Sequence, residues 1–402
     1  MTQEPTDSAS VLALIRPELL QRTPYVAAVP DRNAIRLHAN ENPWPIDDSN
    51  AAVSSQVEPT SDILKALGSV ASNSDSFHDG QLKDLHLNRY PQQRPDVLVA
   101  QMAEYYGVNA ECVLPVRGGD DGIDLMIRAF CRAAKDSIQI SSPTFGMYAS
   151  FAQIQDAAVV DVPLINSDSG FSLDTDSVIR RGKDSKLVFL CSPNNPTGHS
   201  LSMEQIARVC KELSGVSAVV LDEAYIEFSS CQSAVSLLAE YANLIIVRTL
   251  SKALGAAGLR CGALLAHADI VKVLQGICTP YALPTPIVEL AVAGFEPEQL
   301  QIARGRCEYL VEHRAQLAEA LRDHPQVKRL YSSDANFLFV CFRDAETVYD
   351  ALKHQGILIR NFSAAKGCEG CLRISVGKEE QNRKLLSVLD RLAPKENGAS
   401  QS

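Results

Sequence analysis

Between residues 95 and 279, short and almost continuously apolar runs alternate with segments of helical periodicity. Strands that are apolar at every position need cover on both faces, which is typical of a parallel sheet between two layers of helices. The alternation therefore predicts an α/β fold with a mostly parallel sheet in a large domain. The predicted strands are 112–116, 137–140, 158–164, 186–191, 217–222, 244–249 and 261–265, and the helices between them include 122–134 and 203–213.

The pattern changes after residue 286. A long amphipathic helix, 297–323, precedes a β-α-β tail, which predicts a smaller α+β domain that the N-terminal segment joins. The predicted elements of the tail are 337–342, 345–355, 357–359, 371–376 and a closing helix to 392. The predicted organisation is an N-terminal arm and part of the small domain (1–94, with a polar insertion at about 47–87), a large domain (95–285) and a C-terminal small domain (286–402).

Composition excludes several classes of function. The net charge of −10, with no dense Lys/Arg run, argues against binding to nucleic acid or an anionic membrane. No apolar stretch reaches the length of a membrane span, and the first residues lack a signal-peptide pattern, so a cytoplasmic protein is expected. The 11 scattered cysteines, Cys341 among them, are expected to be buried thiols, and the Cys368/Cys371 pair to be structural or incidental. No metal site is predicted.

Three polar side chains follow successive predicted strands: Asn195, Asp222 and Lys252. Ligands of open parallel sheets gather at the carboxyl ends of the strands. Lys252 comes after two hydroxyl residues and eight residues before Arg260. An amine in such surroundings suits a Schiff-base nucleophile beside a phosphate, although an isolated lysine after a strand is more often an ordinary surface residue. Taken together, the three residues predict a pyridoxal 5′-phosphate site.

A phosphate needs donors, and the run Val116-Arg-Gly-Gly-Asp120 follows a strand and opens a helix. Free N–H groups and the positive end of a helix dipole suit an anion there, and Asp120 is expected to cap the helix. The same run is also compatible with a simple glycine-rich turn. The residues predicted to hold the phosphate are Gly119, Asp120, Thr249, Ser251 and Arg260.

The pyridine ring needs other partners. A carboxylate beside the ring nitrogen stabilises its protonated form, and Asp222, at the end of an apolar strand, is the candidate. Tyr225 and Asn195 are predicted to bond the phenolic oxygen of the ring, and Phe145 to stack on its face. Each has a plainer interpretation, as a helix cap, a turn residue or a core aromatic.

These residues carry a family resemblance. Ser192-Pro-Asn-Asn-Pro-Thr-Gly198, Asp222-Glu-Ala-Tyr225 and Ser251-Lys…Gly-Leu-Arg260 resemble the fold-type I, aspartate aminotransferase-like pyridoxal-phosphate enzymes. Four further motifs make the chain similar to histidinol-phosphate aminotransferases. They are Arg-Thr-Pro-Tyr25, Leu-His-Ala-Asn40-Glu-Asn-Pro, Asn88-Arg-Tyr90-Pro and Gly370-Cys-Leu-Arg373-Ile-Ser-Val-Gly377.

The resemblance implies roles that agree with those argued from the residues. Lys252 is implied to be the Schiff-base lysine, and Lys252, Asp222 and Tyr225 to form the catalytic set. Tyr90 is implied to reach the cofactor phosphate of a neighbouring subunit, and therefore a homodimer with shared sites. The residues implied to contact substrate are Tyr25, Asn40, Tyr90, Arg360 and Arg373, with Arg373 clamping a carboxylate and Tyr25 and Arg360 meeting the distal anion.

Two features depart from the family pattern. Phe145 stands where many members carry a tyrosine, and the insertion before Tyr90 is longer than expected.

The implied reaction is amino transfer from L-histidinol phosphate to 2-oxoglutarate, in histidine biosynthesis. An aromatic-amino-acid aminotransferase and a pyridoxal-phosphate-dependent phospho-amino-acid decarboxylase stay open as alternatives. A regulator that only binds the cofactor would need a DNA-binding module, and the sequence has no basic region of that kind.

Overall fold

The computed structural model describes residues 35–37, 40 and 91–392, with the side chains of 35 and 36 left aside. Three sequence predictions, the roles of Tyr25 and Tyr90 and the polar insertion 47–87, lie outside the described residues.

A seven-stranded sheet forms the centre of the larger part, with the strand order β2-β10-β9-β8-β7-β3-β4. Strand β10 runs antiparallel to both of its neighbours, and the pairs from β9 to β4 are parallel, so the prediction of a mostly parallel sheet is confirmed. The strands are β2 (Val113–Val116), β3 (Ser137–Ile140), β4 (Ala158–Asp161), β7 (Leu187–Cys191), β8 (Ala218–Asp222), β9 (Leu244–Thr249) and β10 (Gly262–Ala266).

Helices cover both faces of this sheet. Along β8, Val219 and Leu221 belong to one apolar cluster, whereas Ala218 and Val220 belong to the other, so alternate side chains enter different cores. This is why the strand is apolar throughout. The helices of this part are α1 (Asp96–Tyr106), α2 (Gly119–Phe130), α3 (Met147–Ile154), α4 (Thr175–Gly182), α5 (Met203–Glu212), α6 (Ala268–Ile277) and α7 (Thr285–Gly294), and a small hairpin is formed by β5 (Ile165–Ser167) and β6 (Gly170–Ser172).

A second, four-stranded antiparallel sheet with the order β11-β12-β15-β14 forms the C-terminal part. The N-terminal strand β1 (Ile35–Arg36) pairs in parallel with β13 (Ile357–Leu358). The elements are α8 (Pro297–Arg322), β11 (Val327–Leu330), β12 (Phe337–Phe342), α9 (Ala345–His354), β13 (Ile357–Leu358), β14 (Arg360–Asn361), β15 (Cys371–Ser375) and α10 (Glu379–Leu392).

Two local predictions are wrong. The helix expected from residue 122 begins at Gly119, so its N-cap is Gly118 and Asp120 lies inside the first turn instead of capping it. Cys341, expected to be a buried thiol, forms a disulfide with Cys371, because the two are register partners on antiparallel strands with their Cα atoms 3.9 Å apart. Cys368 is a buried free thiol.

No helix within residues 91–392 is long and apolar enough to cross a membrane.

Candidate active site

Three adjacent parallel strands end together at one edge of the large sheet. Cys191 at the end of β7 pairs with Asp222 at the end of β8, and Asp222 pairs with Val247 near the end of β9. Asp222 therefore lies at this edge, and the loops that follow the three strands bring Asn195, Tyr225 and Lys252 to it, as the sequence predicts. The Lys252 ammonium lies 5.6 Å from the centroid of the Tyr225 ring.

Asp222 is buried, and its two carboxylate oxygens each accept a hydrogen bond. The phenolic O–H of Tyr148 donates to Oδ2 at 2.7 Å, and the backbone N–H of Ala224 donates to Oδ1 at 3.0 Å. Burial raises the pKa of Asp222, while these two donors and the charge of Lys252 act against that rise by stabilising the carboxylate. The two donors and Lys252 thus offset part of the rise that burial causes.

Asn40 connects Tyr225 to the C-terminal sheet. Its amide Nδ2 donates to the Tyr225 hydroxyl at 3.2 Å, and its Oδ1 accepts from the Ser375 hydroxyl at 2.7 Å. Asn336 also donates to the carbonyl of Asn40 at 3.0 Å. Burial raises the pKa of Tyr225 to about 12, so its hydroxyl stays a donor at neutral pH. The side chain of Asn40 thus bonds protein groups on both sides, and its contact with substrate stays a prediction.

The predicted phosphate cradle also comes together. Thr249 Oγ1 and Ser251 Oγ lie 2.9 Å apart, and the Arg260 guanidinium lies 3.5 Å from Ser251 Oγ and 3.4 Å from Asp120 Oδ2. Gly118 has a φ of 87°, and a Cβ there would stand 2.7 Å from the Arg260 guanidinium. The positive φ favours glycine at this position, and a Cβ there would displace the tip of the Arg260 side chain from the cradle.

The cradle fits an anion. The N-cap of α2 makes no side-chain hydrogen bond, so the first N–H groups of the helix point out of its end beside a fixed positive charge. A phosphate matches this donor set. With the buried carboxylate of Asp222 and the amine of Lys252 at the same edge, the residues fit pyridoxal 5′-phosphate. Phe145 is partly buried and stands edge-on to Tyr148, with ring centroids 5.5 Å apart.

Two predicted arginines are neighbours in the C-terminal sheet. Arg360 and Arg373 are register partners on β14 and β15. Side chains directly opposite each other on antiparallel strands share a face, and like charges there repel unless an anion offsets them. Arg373 is buried, donates to Oδ1 of Asn195, and lies 5.2 Å from the centroid of the Phe337 ring. The pair is suited to binding an anionic group.

A buried ion pair beside the site was not predicted. Glu223 directly follows Asp222, and Arg248 directly precedes Thr249. Their side chains form an ion pair at 3.1 Å, with 2% of the Glu223 side chain and 6% of the Arg248 side chain exposed. Arg248 also contacts Glu227 and lies 4.8 Å from the centroid of the Tyr106 ring. Although burial opposes the charge, Glu227 and Glu223 raise the pKa of Arg248. The sequence did contain a signal for this ion pair: Arg248 follows the apolar run Leu244–Val247 within a predicted strand, and a buried arginine needs an acidic partner.

Tyr148 was missed as well. The sequence signal was available: a tyrosine three residues after Phe145, at the start of a helix that follows a strand of the same sheet. A buried tyrosine needs a partner for its hydroxyl. Among residues 91–392, no group of three or more His, Cys, Asp or Glu side chains is arranged to hold a metal ion.

With the fold and this geometry in view, comparison with known proteins gives the class. The sequence pattern of the class I and II aminotransferases matches residues 59–389. The chain therefore belongs to the class I and II aminotransferase family, whose members are pyridoxal-phosphate-dependent enzymes.

Within that class, several relatives similar over most of the chain are histidinol-phosphate aminotransferases, and the similar solved structures also include an L-threonine-O-3-phosphate decarboxylase from Porphyromonas gingivalis. The histidinol-phosphate aminotransferase of Xylella fastidiosa (strain 9a5c) is 39% identical over 96% of this chain and 97% of its own length. Histidinol-phosphate aminotransferase 2 of Idiomarina loihiensis is 39% identical over 94% of this chain and 97% of its own. The solved Sinorhizobium meliloti histidinol-phosphate aminotransferase in complex with pyridoxal-5′-phosphate has a TM-score of 0.75 at 21% identity, covering 96% of this chain and 100% of that one, which shows the fold.

Proposed function

We propose that this aminotransferase moves the amino group of L-histidinol phosphate to 2-oxoglutarate, giving imidazole-acetol phosphate and L-glutamate. The observation that carries the proposal is the side-by-side placement of Arg360 and Arg373 on one face of the C-terminal sheet, with Arg373 bonded to Asn195 at the cofactor edge. Both the phosphate of histidinol phosphate and the carboxylates of the oxo acid are anions that arginine binds with two parallel hydrogen bonds. The names of the relatives support the same choice.

The proposed roles of the residues follow from their chemistry. Bound pyridoxal 5′-phosphate supplies the sink for the electron pair left at the substrate α-carbon. Lys252 would hold the cofactor covalently, and its amine would serve as the base and acid that moves the proton at the substrate α-carbon. Asp222 stabilises the protonated ring nitrogen, and Asn195 and Tyr225 bond the ring oxygen. Gly119, Asp120, Thr249, Ser251 and Arg260 surround the phosphate.

We further propose a cytoplasmic homodimer with shared sites. Val273, Ile277 and Tyr281 are exposed to 63%, 42% and 46% at and just after the end of α6, and such apolar side chains favour cover by a second copy. Tyr90 is proposed to complete the partner's phosphate site. Mixing a Lys252→Ala subunit with a Tyr90→Phe subunit then restores some activity, because one site in the mixed dimer has both residues intact. A mixture with no more activity than its two components contradicts shared sites.

Lys252 gives the first test. Lys252→Ala and Lys252→Arg are both expected to lose the visible absorption of the covalently held cofactor and at least about 10⁴-fold in turnover, since neither side chain can bond the cofactor or carry the proton. Lys252→Arg keeps the positive charge but loses the nucleophilic amine, so its loss of activity shows that the amine is needed and not only the charge. Normal turnover by either variant overturns the assignment.

Substrate choice needs a separate measurement. Single-turnover spectra of the wild-type enzyme with L-histidinol phosphate and with phenylalanine are expected to show faster loss of the bound cofactor's absorption with histidinol phosphate. A wide preference for phenylalanine makes the protein an aromatic aminotransferase. Release of carbon dioxide from a phosphorylated amino acid, without any oxo acid, makes it a decarboxylase.

A further inference from the structure

Tyr148 sits at the back of the proposed cofactor site and is completely buried. Its ring stacks on Phe189 with centroids 4.7 Å apart and planes inclined by 18°, and meets the edge of Phe145 at 5.5 Å. Two aromatic neighbours therefore fix the ring. The Tyr148 hydroxyl, held in place by these rings, donates to Oδ2 of Asp222 at 2.7 Å.

The bond joins residues 74 positions apart, and it belongs to a small buried group. Cys191 is the register partner of Asp222, and its thiol donates to the carbonyl of Pro193 at 3.4 Å. Burial and the neighbouring Asp222 carboxylate raise the pKa of Tyr148 well above its ordinary value, so the hydroxyl keeps its proton at neutral pH. Tyr148 is consequently a permanent donor to this carboxylate.

A permanent donor matters because a carboxylate and a ring nitrogen compete for one proton. Each hydrogen bond donated to the carboxylate stabilises its ionised form and lowers its affinity for that proton. Loss of the Tyr148 hydroxyl would add to the effect of burial and shift Asp222 further towards the neutral acid, which cannot stabilise a protonated ring. We propose that Tyr148 is a positioning residue that acts through Asp222: it fixes the orientation of the carboxylate and keeps the shared proton on the cofactor's ring nitrogen. The inference rests on the proposed role of Asp222.

The experiment compares the wild-type holoenzyme with Tyr148→Phe, both loaded with cofactor labelled with ¹⁵N in the ring. The variant is expected to keep its covalently bound cofactor, while the ring-nitrogen signal moves from the protonated towards the neutral position. Its cofactor Kd is expected to rise about tenfold, which is the loss of one hydrogen bond to a charged group. An unchanged ring-nitrogen signal with the cofactor bound overturns the proposal.

Tyr331→Phe is the matched control. Tyr331 is also buried, and its hydroxyl accepts from the amide of Asn166 at 3.1 Å. The control loses a buried tyrosine hydroxyl away from Asp222, so its ring-nitrogen signal is expected to stay at the wild-type position. A shift as large as that of Tyr148→Phe would mean a general effect on the fold and would overturn the specific role.

A double-mutant comparison tests the route through Asp222. Tyr148→Phe is expected to weaken cofactor binding in the wild-type background and to have no further effect in Asp222→Asn, whereas additive losses overturn the coupling. If Tyr148→Phe does not fold, 3-fluorotyrosine at position 148 keeps the ring and donates a more acidic O–H. The pH at which the ring nitrogen loses its proton must then rise above that of the wild-type enzyme, and an unchanged midpoint overturns the proposal.

These readouts separate the two proposals, since none of them uses a substrate. Failure of the wild-type enzyme to turn over histidinol phosphate concerns the proposed function alone. A normal ring-nitrogen signal in Asp222→Asn shows that Asp222 is not the ring partner, which is a failure of the residue roles on which the inference stands.

Discussion

Arg373 donates a hydrogen bond through Nη1 to Oδ1 of Asn195. Arg373 is the middle residue of strand β15 in the C-terminal sheet, and Asn195 lies in the loop after β7 of the large sheet. Both side chains are buried. The bond links the proposed substrate clamp directly to a proposed cofactor ligand, so substrate binding and cofactor geometry share one contact.

Replacing Arg373 by lysine is expected to lower kcat/KM for L-glutamate by about 100-fold, because a point charge replaces a planar group that binds a carboxylate with two hydrogen bonds. Steady-state kinetics with the purified holoenzyme measure this. Arg391→Lys, on the exposed last turn of α10, is the control and should leave the kinetics unchanged. A loss confined to cofactor binding, with kcat/KM intact in the loaded enzyme, would contradict the clamp.

Gly118→Ala is expected to weaken cofactor binding by at least about tenfold, since the new Cβ would stand 2.7 Å from the Arg260 guanidinium at a φ of 87°. Gly107→Ala makes a matched control: it also has a positive φ, 70°, but nothing lies within 4 Å of its Cβ. Gly107→Ala should lose about 1 kcal/mol of stability, because Gly107 is left-handed helical with a ψ of 38°. Gly118→Ala should lose about 1–3 kcal/mol, because a φ of 87° with a ψ of 172° is almost confined to glycine. Equal cofactor Kd values in the two proteins would show that Gly118 does not shape the cradle.

Asn40→Ala is expected to reduce the free energy of unfolding by about 3 kcal/mol, through lost hydrogen bonds to Ser375 and Tyr225 and through alanine's poor tolerance of a φ of 52°. Asn40→Gly removes the same bonds but accepts that φ. Urea denaturation of the three proteins should place the glycine variant about 1 kcal/mol above the alanine variant. If alanine and glycine are equally stable, backbone strain at this position contributes nothing.

Glu223→Gln is expected to lose about 3 kcal/mol, because it leaves the buried Arg248 guanidinium with one carboxylate fewer. Adding Arg248→Met should cost less than the sum of the two single changes. The exposed pair Arg208–Asp176 is the control, and Arg208→Met should change the unfolding free energy little. Additive losses at 223 and 248 in chemical denaturation would rule out a coupled pair.

Acid sensitivity is expected from His199, whose Nδ1 lies 2.7 Å from Thr197 Oγ1 in the loop that carries Asn195. Burial lowers the pKa of His199 to about 4. In the unfolded chain the pKa of this histidine is about 6.5, so the unfolded state binds the proton more readily than the folded state. The contribution of neutral His199 to folding stability is therefore fully present above about pH 6.5 and is lost as the pH falls towards 4. Between pH 7.5 and 5 the loss should be about 2 kcal/mol. His199→Asn should remove that part of the pH dependence in urea titrations, and an unaltered slope would exclude His199 as its source.

The class of fold and much of the candidate site follow from local sequence. Uniformly apolar strands separated by helices permit only a sheet covered on both faces, and the carboxyl ends of neighbouring parallel strands must share an edge. That is why Asn195, Asp222 and Lys252 could be predicted to meet. The strand predicted over 158–164 ends at Asp161. Beyond it, Val162 and Leu164 still donate to the carbonyls of Ile140 and Ser142, so the extended chain continues past the regular ladder.

The tertiary structure alone decided which distant side chains support that site. Tyr148 with Asp222, Glu223 with Arg248, and Asn40 with Tyr225 and Ser375 are pairs that no spacing along the chain reveals. Each arises because a buried polar group must find a partner among whatever packing brings near it. The sequence by itself determined the chemistry at the sheet edge, through strand geometry, and three-dimensional packing determined how that chemistry is held in place.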